Sequence, residues 1–241
     1  MKLLFIRHGD PDYEKDSLTE KGWHEAELLG QRMANTPVTA FYVSPLGRAK
    51  DTASKTTAKS GQRCHRTGVA AGISRTHSGF SHRRTKNCLG SAPGRLDRRA
   101  EVLRQDTLVG NPAHAAGHVI DEAKRVWNGL DEILTQHGYE RETTLTVQFS
   151  QRRDAGVFCH FGVTCVMLSH LLGISPMILW HGFCAAPTSV TSLITEERRE
   201  GVALFRMNAF GDTAHLYANQ EEPAFAARFC EMYANQEQRH D

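Results

Sequence analysis

The sequence has few of the features that mark membrane, nucleic-acid or metal-binding proteins. No stretch approaches the roughly 18 consecutive apolar residues of a membrane-spanning helix, and the N-terminal apolar run ends at Arg7, too early for a signal peptide. The formal net charge is only +2, so the chain as a whole indicates neither a nucleic-acid nor a membrane partner. The six cysteines include no CxxC pair and no zinc-ligand spacing. We therefore expect a cytoplasmic protein with reduced thiols and no metal or cofactor, and its oligomeric state stays open.

One segment lacks acidic residues altogether. Between Thr52 and Leu96 there is no Asp or Glu, although the segment contains nine Lys or Arg and three His. It also shows no hydrophobic periodicity. Three interpretations stay open: a basic loop over 59–95 that binds a polyanion such as nucleic acid, a solvated insertion, and a segment translated out of phase.

The third interpretation can be compared with the genetic code. Residues 68–73 read Gly-Val-Ala-Ala-Gly-Ile, and their codons, read one nucleotide later, permit Glu-Trp-Leu-Arg-Glu-Phe. That string restores acidic residues and an amphipathic pattern. Degenerate codons permit many strings, so only the nucleotide sequence across residues 52–120 would decide whether this segment is translated out of phase.

The hydrophobic pattern predicts strands that alternate with helices. The apolar runs typical of buried strands are 2–6, 40–44, 155–159, 189–195 and 202–207. Ser17 and Glu20 have the spacing of a capping box, which predicts a helix capped by Ser17 that runs to about residue 33; further helices are predicted at 121–137 and 163–172. The alternation favours an α/β fold with a mainly parallel central sheet.

Polar side chains follow two of the predicted strands. Arg7 and His8 come directly after the first strand, and His160 comes directly after the strand at 155–159. Ligands of such sheets bind beyond the carboxyl ends of the strands, so these side chains are expected to meet there. Guanidinium groups suit a phosphate because their planar fork binds two oxygens at once, and Arg48 supplies a second one. The pattern predicts a phosphate pocket in which His8 is the nucleophile.

Four blocks of sequence, taken together and in order, resemble the histidine phosphatase superfamily, the family of phosphoglycerate mutases and related phosphatases. The blocks are Leu4-Phe5-Ile6-Arg7-His8-Gly9, Leu18-Thr19-Glu20-Lys21-Gly22, Ser44-Pro45-Leu46-Gly47-Arg48-Ala49 with Thr52-Ala53, and Cys159-His160-Phe161-Gly162-Val163. The resemblance covers roughly residues 1–55 and 119–217. It implies one domain over 1–241, a three-layer α/β/α fold, and an insertion at 56–119 that caps the site.

The resemblance also implies roles for individual residues. His8 corresponds to the nucleophile that becomes a phosphohistidine, and Arg7, Arg48 and His160 correspond to the rest of the phosphate pocket. The chain departs from the family pattern at Phe161, where a second glycine is usual, and at Asp10, where Glu is frequent. The general acid of the family normally comes from the capping region, where Glu101 is the nearest candidate.

Several functions remain open on the sequence alone. The favoured one is metal-independent hydrolysis of a small phosphomonoester, and the alternatives are a phosphoglycerate-type mutase and a catalytically weak protein that binds a phosphorylated ligand. Arg48 could instead pair with a surface acid such as Asp51, and His160 could be a hydrogen-bonded core histidine.

Overall fold

The computed structural model describes residues 1–70, 119–141, 145–147, 153–226, 228 and 230–238. The predicted insertion at 56–119 therefore lies outside the described residues from position 71 to 118. In the described part, no helix is both long enough and apolar enough to cross a membrane.

In the described part of the chain, runs of one to three strands are separated by helices. The strands are β1 (Lys2–Arg7), β2 (Pro11–Asp12), β3 (Ser17–Leu18), β4 (Ala40–Val43), β5 (Cys64–Arg66), β6 (Tyr139–Arg141), β7 (Leu145–Val147), β8 (Ala155–Cys159), β9 (Val190–Arg199) and β10 (Val202–Asp212). The helices are α1 (Glu20–Ala34), α2 (Gly47–Ser60), α3 (Val119–Gln136), α4 (Phe161–Leu172), α5 (Pro176–Gly182) and α6 (Ala214–Tyr217), with a 3₁₀ turn at Gly68–Ala70.

The central sheet has the order β5-β4-β8-β1-β9-β10-β7-β6. Its first four strands are parallel, with β1 between β8 and β9. Strand β9 pairs antiparallel with β1 and forms a long hairpin with β10, and β7 and β6 continue the antiparallel half. The parallel half carries β1 and β8, the two strands that end at the predicted pocket.

Helices cover both faces of this sheet. Along β1, Leu3 and Phe5 pack into a core with α3, α4 and α5, whereas Leu4 and Ile6 pack into a second core with α1 and α2. A strand buried on both faces reads as a continuous apolar run, which explains the sequence of β1. The three-layer α/β/α fold is thereby confirmed.

Helix α1 begins two residues later than the capping box predicted. Its N-cap is Thr19, whose side chain accepts a hydrogen bond from the Gly22 amide. Ser17 instead lies in β3 and donates its hydroxyl hydrogen to Asp51 at 2.6 Å. The capping box at Ser17 was therefore wrong, because pairing with β2 keeps Leu18, which would be the first helical residue, in an extended conformation.

Candidate active site

The parallel pairing of β1 with β8 brings the two predicted histidines together. Arg7 is in register with Cys159, so the residues that follow, His8 and His160, emerge side by side at the same sheet edge. Their ring centroids are 5.0 Å apart, and both side chains are buried. The chain between the two histidines includes α1, β4, α2 and α3.

The His8 imidazole is held in one orientation. Its Nδ1 lies 2.7 Å from the Gly9 carbonyl oxygen. A carbonyl can only accept, so Nδ1 carries the ring proton and Nε2 presents its lone pair. Burial, together with the positive charge of Arg7, lowers the pKa of His8 well below its ordinary value. His8 is therefore a neutral imidazole with an unprotonated nitrogen at neutral pH.

The backbone around His8 is fixed at the peptide that joins it to Gly9. The Thr188 amide donates to the His8 carbonyl at 3.1 Å, and the Gly9 amide donates to the Thr52 hydroxyl at 2.9 Å. Both ends of this peptide plane are thus tied. The Gly9 carbonyl that accepts from the His8 ring belongs to the next peptide, Gly9–Asp10, so the fixed His8–Gly9 peptide orients the imidazole through the backbone of Gly9.

The block at Leu18–Gly22 packs directly against this loop. Thr19 donates its amide hydrogen to the Asp10 carbonyl at 3.0 Å and its hydroxyl hydrogen to the Asp10 carboxylate at 2.7 Å. A Cβ at Gly9 would lie 2.7 Å from the Gly22 carbonyl oxygen, and a Cβ at Gly22 would collide with the Asp10 backbone. The two glycines allow this close approach of the backbones.

His160 is the second imidazole of the site. Its Nε2 lies 2.9 Å from the hydroxyl of Ser44, a buried residue at the end of β4. Its Nδ1 is buried and has no hydrogen-bond partner among the described residues. Burial, then the positive charge of Arg48, lowers the pKa of His160 to about 3. His160 is therefore neutral over the whole physiological pH range.

Backbone carbonyls anchor the two terminal nitrogens of the Arg7 guanidinium, but not its Nε. Nη1 donates to the Ala185 carbonyl and Nη2 donates to the Ala226 carbonyl at 3.4 Å. Its Nε is buried without a hydrogen-bond partner in the described part of the chain. Burial lowers the pKa of Arg7 from its ordinary value, but a guanidinium stays charged in proteins.

Arg48 pairs with Asp16 and not with Asp51. Its Nη1 lies 2.5 Å from the Asp16 carboxylate, and its guanidinium stands 5.5 Å from the Tyr13 ring centroid. Asp16 also accepts from the Gly47 amide at 2.7 Å. Burial raises the pKa of Asp16, but the hydrogen bond from Gly47 and the charge of Arg48 outweigh it, so the pKa is lowered. The carboxylate fixes Arg48, whose Nε is buried without a partner among the described residues.

The remaining candidates are placed differently. Glu101 lies outside the described residues and stays a prediction. Phe161 is half-buried, begins α4 and packs against the core next to His160. Sequence reasoning assigned no role to Asp16 or Ser44, although Ser44 stands inside one of the four family blocks. Asp16 carries no local signal, because its contact with Arg48 depends on how the loop before α1 folds back.

The arrangement places two guanidinium groups close to two neutral imidazoles, at the position of the predicted phosphate pocket. Three buried atoms point to a missing partner: Nε of Arg7, Nε of Arg48 and Nδ1 of His160, none of which has one within the described residues. The helices α2 and α4 both begin beside the pocket, and helix N-termini favour anions. This combination suits an oxyanion with several acceptor oxygens.

Comparison with known proteins agrees with this chemistry. The family model described as "Histidine phosphatase superfamily (branch 1)" matches residues 3–208. The chain therefore belongs to the histidine phosphatase superfamily. No curated protein matches it in a sequence search.

Solved structures of similar fold include several phosphatases. A phosphoserine phosphatase from Entamoeba histolytica in complex with phosphoserine is 19% identical, with a TM-score of 0.59 over 89% of this chain and 98% of that one. The same organism's phosphoserine phosphatase in complex with 3-phosphoglyceric acid is 20% identical, with the same score and coverage. A mycobacterial glucosyl-3-phosphoglycerate phosphatase is 16% identical, with a TM-score of 0.59 over 87% of this chain and 98% of that one. At these identities the likeness shows the fold.

Proposed function

We propose that this protein is a phosphomonoester hydrolase that works through a phosphohistidine on His8 and without a metal ion. The observation that carries the proposal is the set of three buried nitrogen atoms without partners, on Arg7, Arg48 and His160, next to a bare ring nitrogen on His8. Each buried polar group without a partner costs about 1–3 kcal/mol. A bound phosphoryl group supplies acceptor oxygens for all three.

The first half of the reaction follows from the tautomer of His8. The Nε2 lone pair attacks phosphorus, the bond from phosphorus to the ester oxygen breaks, and the alcohol leaves after gaining a proton. The two guanidiniums neutralise charge on the phosphoryl oxygens, which spreads in a loose transition state. When the Ser44 hydroxyl donates to Nε2 of His160, Nδ1 of that ring carries the proton and donates to a phosphoryl oxygen.

The second half is attack by water on the phosphohistidine. The bond from phosphorus to nitrogen breaks, inorganic phosphate leaves, and His8 returns to its neutral form. The tie from Nδ1 to the Gly9 carbonyl keeps the same nitrogen facing phosphorus in both halves. A proton donor for the leaving alcohol is also needed, and Glu101 stays the prediction for that role.

The substrate class we propose is a small phosphorylated metabolite. The relatives of similar fold that bind phosphoserine and 3-phosphoglyceric acid support it, because both ligands are small phosphate monoesters. A mutase would return the phosphoryl group to a second hydroxyl, so release of inorganic phosphate must be compared with phosphoglycerate interconversion.

The experiment is incubation with an aryl phosphate, with phosphate release and acid-labile phosphate on His8 measured by rapid quench and mass spectrometry. His8→Ala is expected to abolish both. The matched control is His24→Ala, because His24 lies on the exposed face of α1 and contacts only Glu221 among the described acidic groups. A His8→Ala variant as active as the parent refutes the mechanism, and phosphate binding without labelling of His8 in the parent indicates a binding protein instead.

A further inference from the structure

Thr188 has an unusual backbone conformation for its residue type. Its φ is 57°, in the left-handed region, and it is fully buried just before β9. A β-branched side chain in this region is a true outlier, and such strain persists only where the surroundings enforce it. The Thr188 amide is the group that donates to the His8 carbonyl. The strained residue therefore holds one end of the His8–Gly9 peptide.

The hydroxyl of Thr188 is held by a directed chain of hydrogen bonds. It donates its single hydrogen to the Pro187 carbonyl at 2.7 Å. At His215, whose Nε2 lies 3.1 Å away, the same oxygen must therefore accept. This fixes the proton of the His215 ring on Nε2 and leaves a lone pair on Nδ1.

The other side of His215 meets Arg32. Nη1 of Arg32 lies 3.4 Å from Nδ1 of His215 and donates to it, while Nη2 of Arg32 lies 2.6 Å from the Asp212 carboxylate. His215 is buried, and burial together with the charge of Arg32 lowers its pKa to about 4, so the ring stays neutral. This series of hydrogen bonds connects Arg32 on α1, through His215 on α6, to the loop that carries Thr188.

We propose that His215 is a positioning residue which, anchored by Arg32, keeps Thr188 in its left-handed conformation and thereby aims His8 at the phosphoryl group. Without His215, Thr188 relaxes to negative φ and turns its amide away from the His8 carbonyl. The His8–Gly9 peptide then loses one of its two ties, and Nε2 of His8 loses its alignment. This inference rests on the proposed function only where it concerns turnover.

The turnover experiment compares a substitution that removes the hydrogen bonds of His215 with one that retains them. His215→Ala is expected to lower kcat by at least about tenfold with KM changed less than about threefold, because alignment of His8 matters more in the transition state than in binding. His215→Gln is expected to recover most of this loss, since its amide can donate to Thr188 and accept from Arg32. The control is His137→Ala, another buried histidine with two hydrogen bonds, at the opposite edge of the sheet, which should lower stability but not kcat.

Two substitutions of Thr188 test the strain itself. Thr188→Val keeps the β-branch and loses the hydroxyl, so it should match His215→Ala. Glycine adopts the left-handed conformation without strain, so Thr188→Gly should keep its amide on the His8 carbonyl without help from His215. It should therefore retain at least about tenfold more activity than Thr188→Val. In the Thr188→Gly background, His215→Ala should then add less than about a twofold effect. Equal losses for Val and Gly, or full additivity with His215→Ala, would overturn the proposal.

A readout independent of catalysis is amide hydrogen exchange at Thr188. The parent should protect this amide through its bond to His8, and His215→Ala should exchange at least about tenfold faster there, with the amides of β9 unchanged. Unchanged protection overturns the inference. A parent that never phosphorylates His8 contradicts the proposed function, while the exchange result still decides the role of His215.

Discussion

Glu25 is a buried carboxyl whose replacement should raise stability in a pH-dependent way. It lies on α1 with no exposed surface, and its Oε1 accepts from the Ala224 amide at 2.8 Å. Burial raises the pKa of Glu25 to about 7, although the bonds from Ala224 and Asp10 oppose the rise. Glu25→Gln keeps an acceptor for Ala224 and removes the titratable group.

The magnitude follows from the displacement of the pKa from 4.5 to about 7. At about 1.4 kcal/mol for each unit, ionised Glu25 lowers the free energy of unfolding by about 3 kcal/mol. Below pH 4.5 the carboxyl is protonated in both states, so the penalty is absent. Between 4.5 and 7 the unfolded chain releases the proton first, so the parent loses stability as pH rises; above 7 the deficit is constant.

The assay is thermal unfolding of parent and Glu25→Gln at pH 4.5 and pH 8. The variant should melt about 6–12 °C higher than the parent at pH 8, the shift expected for about 3 kcal/mol in a chain of this size. At pH 4.5 the two melting temperatures should be nearly equal. Glu27→Gln is the matched control on the same helix. Glu27 pairs with Lys59 at 2.6 Å, and that hydrogen bond lowers its pKa, so its replacement should bring no gain at pH 8. A Glu25→Gln difference that does not change with pH would refute the reasoning.

Two further predictions concern the pocket. At pH 6, nitrogen NMR of the free protein should show neutral imidazoles at His8, His160 and His215, with the ring proton of His8 on Nδ1, because burial lowers all three pKa values; a His8 titration midpoint near 6.5 would contradict this assignment. Asp16→Asn should lower kcat/KM about fivefold, since loss of one partly exposed ion pair with Arg48 is worth about 1 kcal/mol. Steady-state kinetics measure the effect, and an increase in kcat/KM would show that Asp16 acts mainly by weakening the pocket's positive charge.

The sequence predicted the parts of the site that follow from strand order. His8 and His160 each stand immediately after an apolar run, and parallel strands end at one sheet edge, so their meeting could be expected. Arg48 could be expected at the same sheet edge, because it stands just past the second predicted strand. The structure adds that this strand, β4, is a neighbour of β8. The catalytic roles of these residues stay predictions until the kinetics are measured.

Other features could not be read from local sequence. The start of α1 depends on a choice between Ser17 and Thr19, both good N-caps, and the β2–β3 pairing decides it in favour of Thr19. The partner of Arg48 is Asp16 because the loop before α1 folds over α2, whereas Asp51, one helical turn from Arg48, is taken by Ser17. Such choices depend on which of several equivalent polar groups the packing brings within hydrogen-bond distance.

The sequence by itself determined the α/β fold, the two-sided burial of β1 and the placement of His8 and His160 at strand ends. These follow from hydrophobic periodicity and strand direction, which are local properties of the chain. Only the tertiary structure decided the tautomer of His8, the strain at Thr188 and the link to it from Arg32 through His215. The strain and the link depend on contacts between groups more than 20 residues apart in the chain. The tautomer depends on how the His8 ring turns towards the Gly9 carbonyl, and no local sequence pattern encodes any of these.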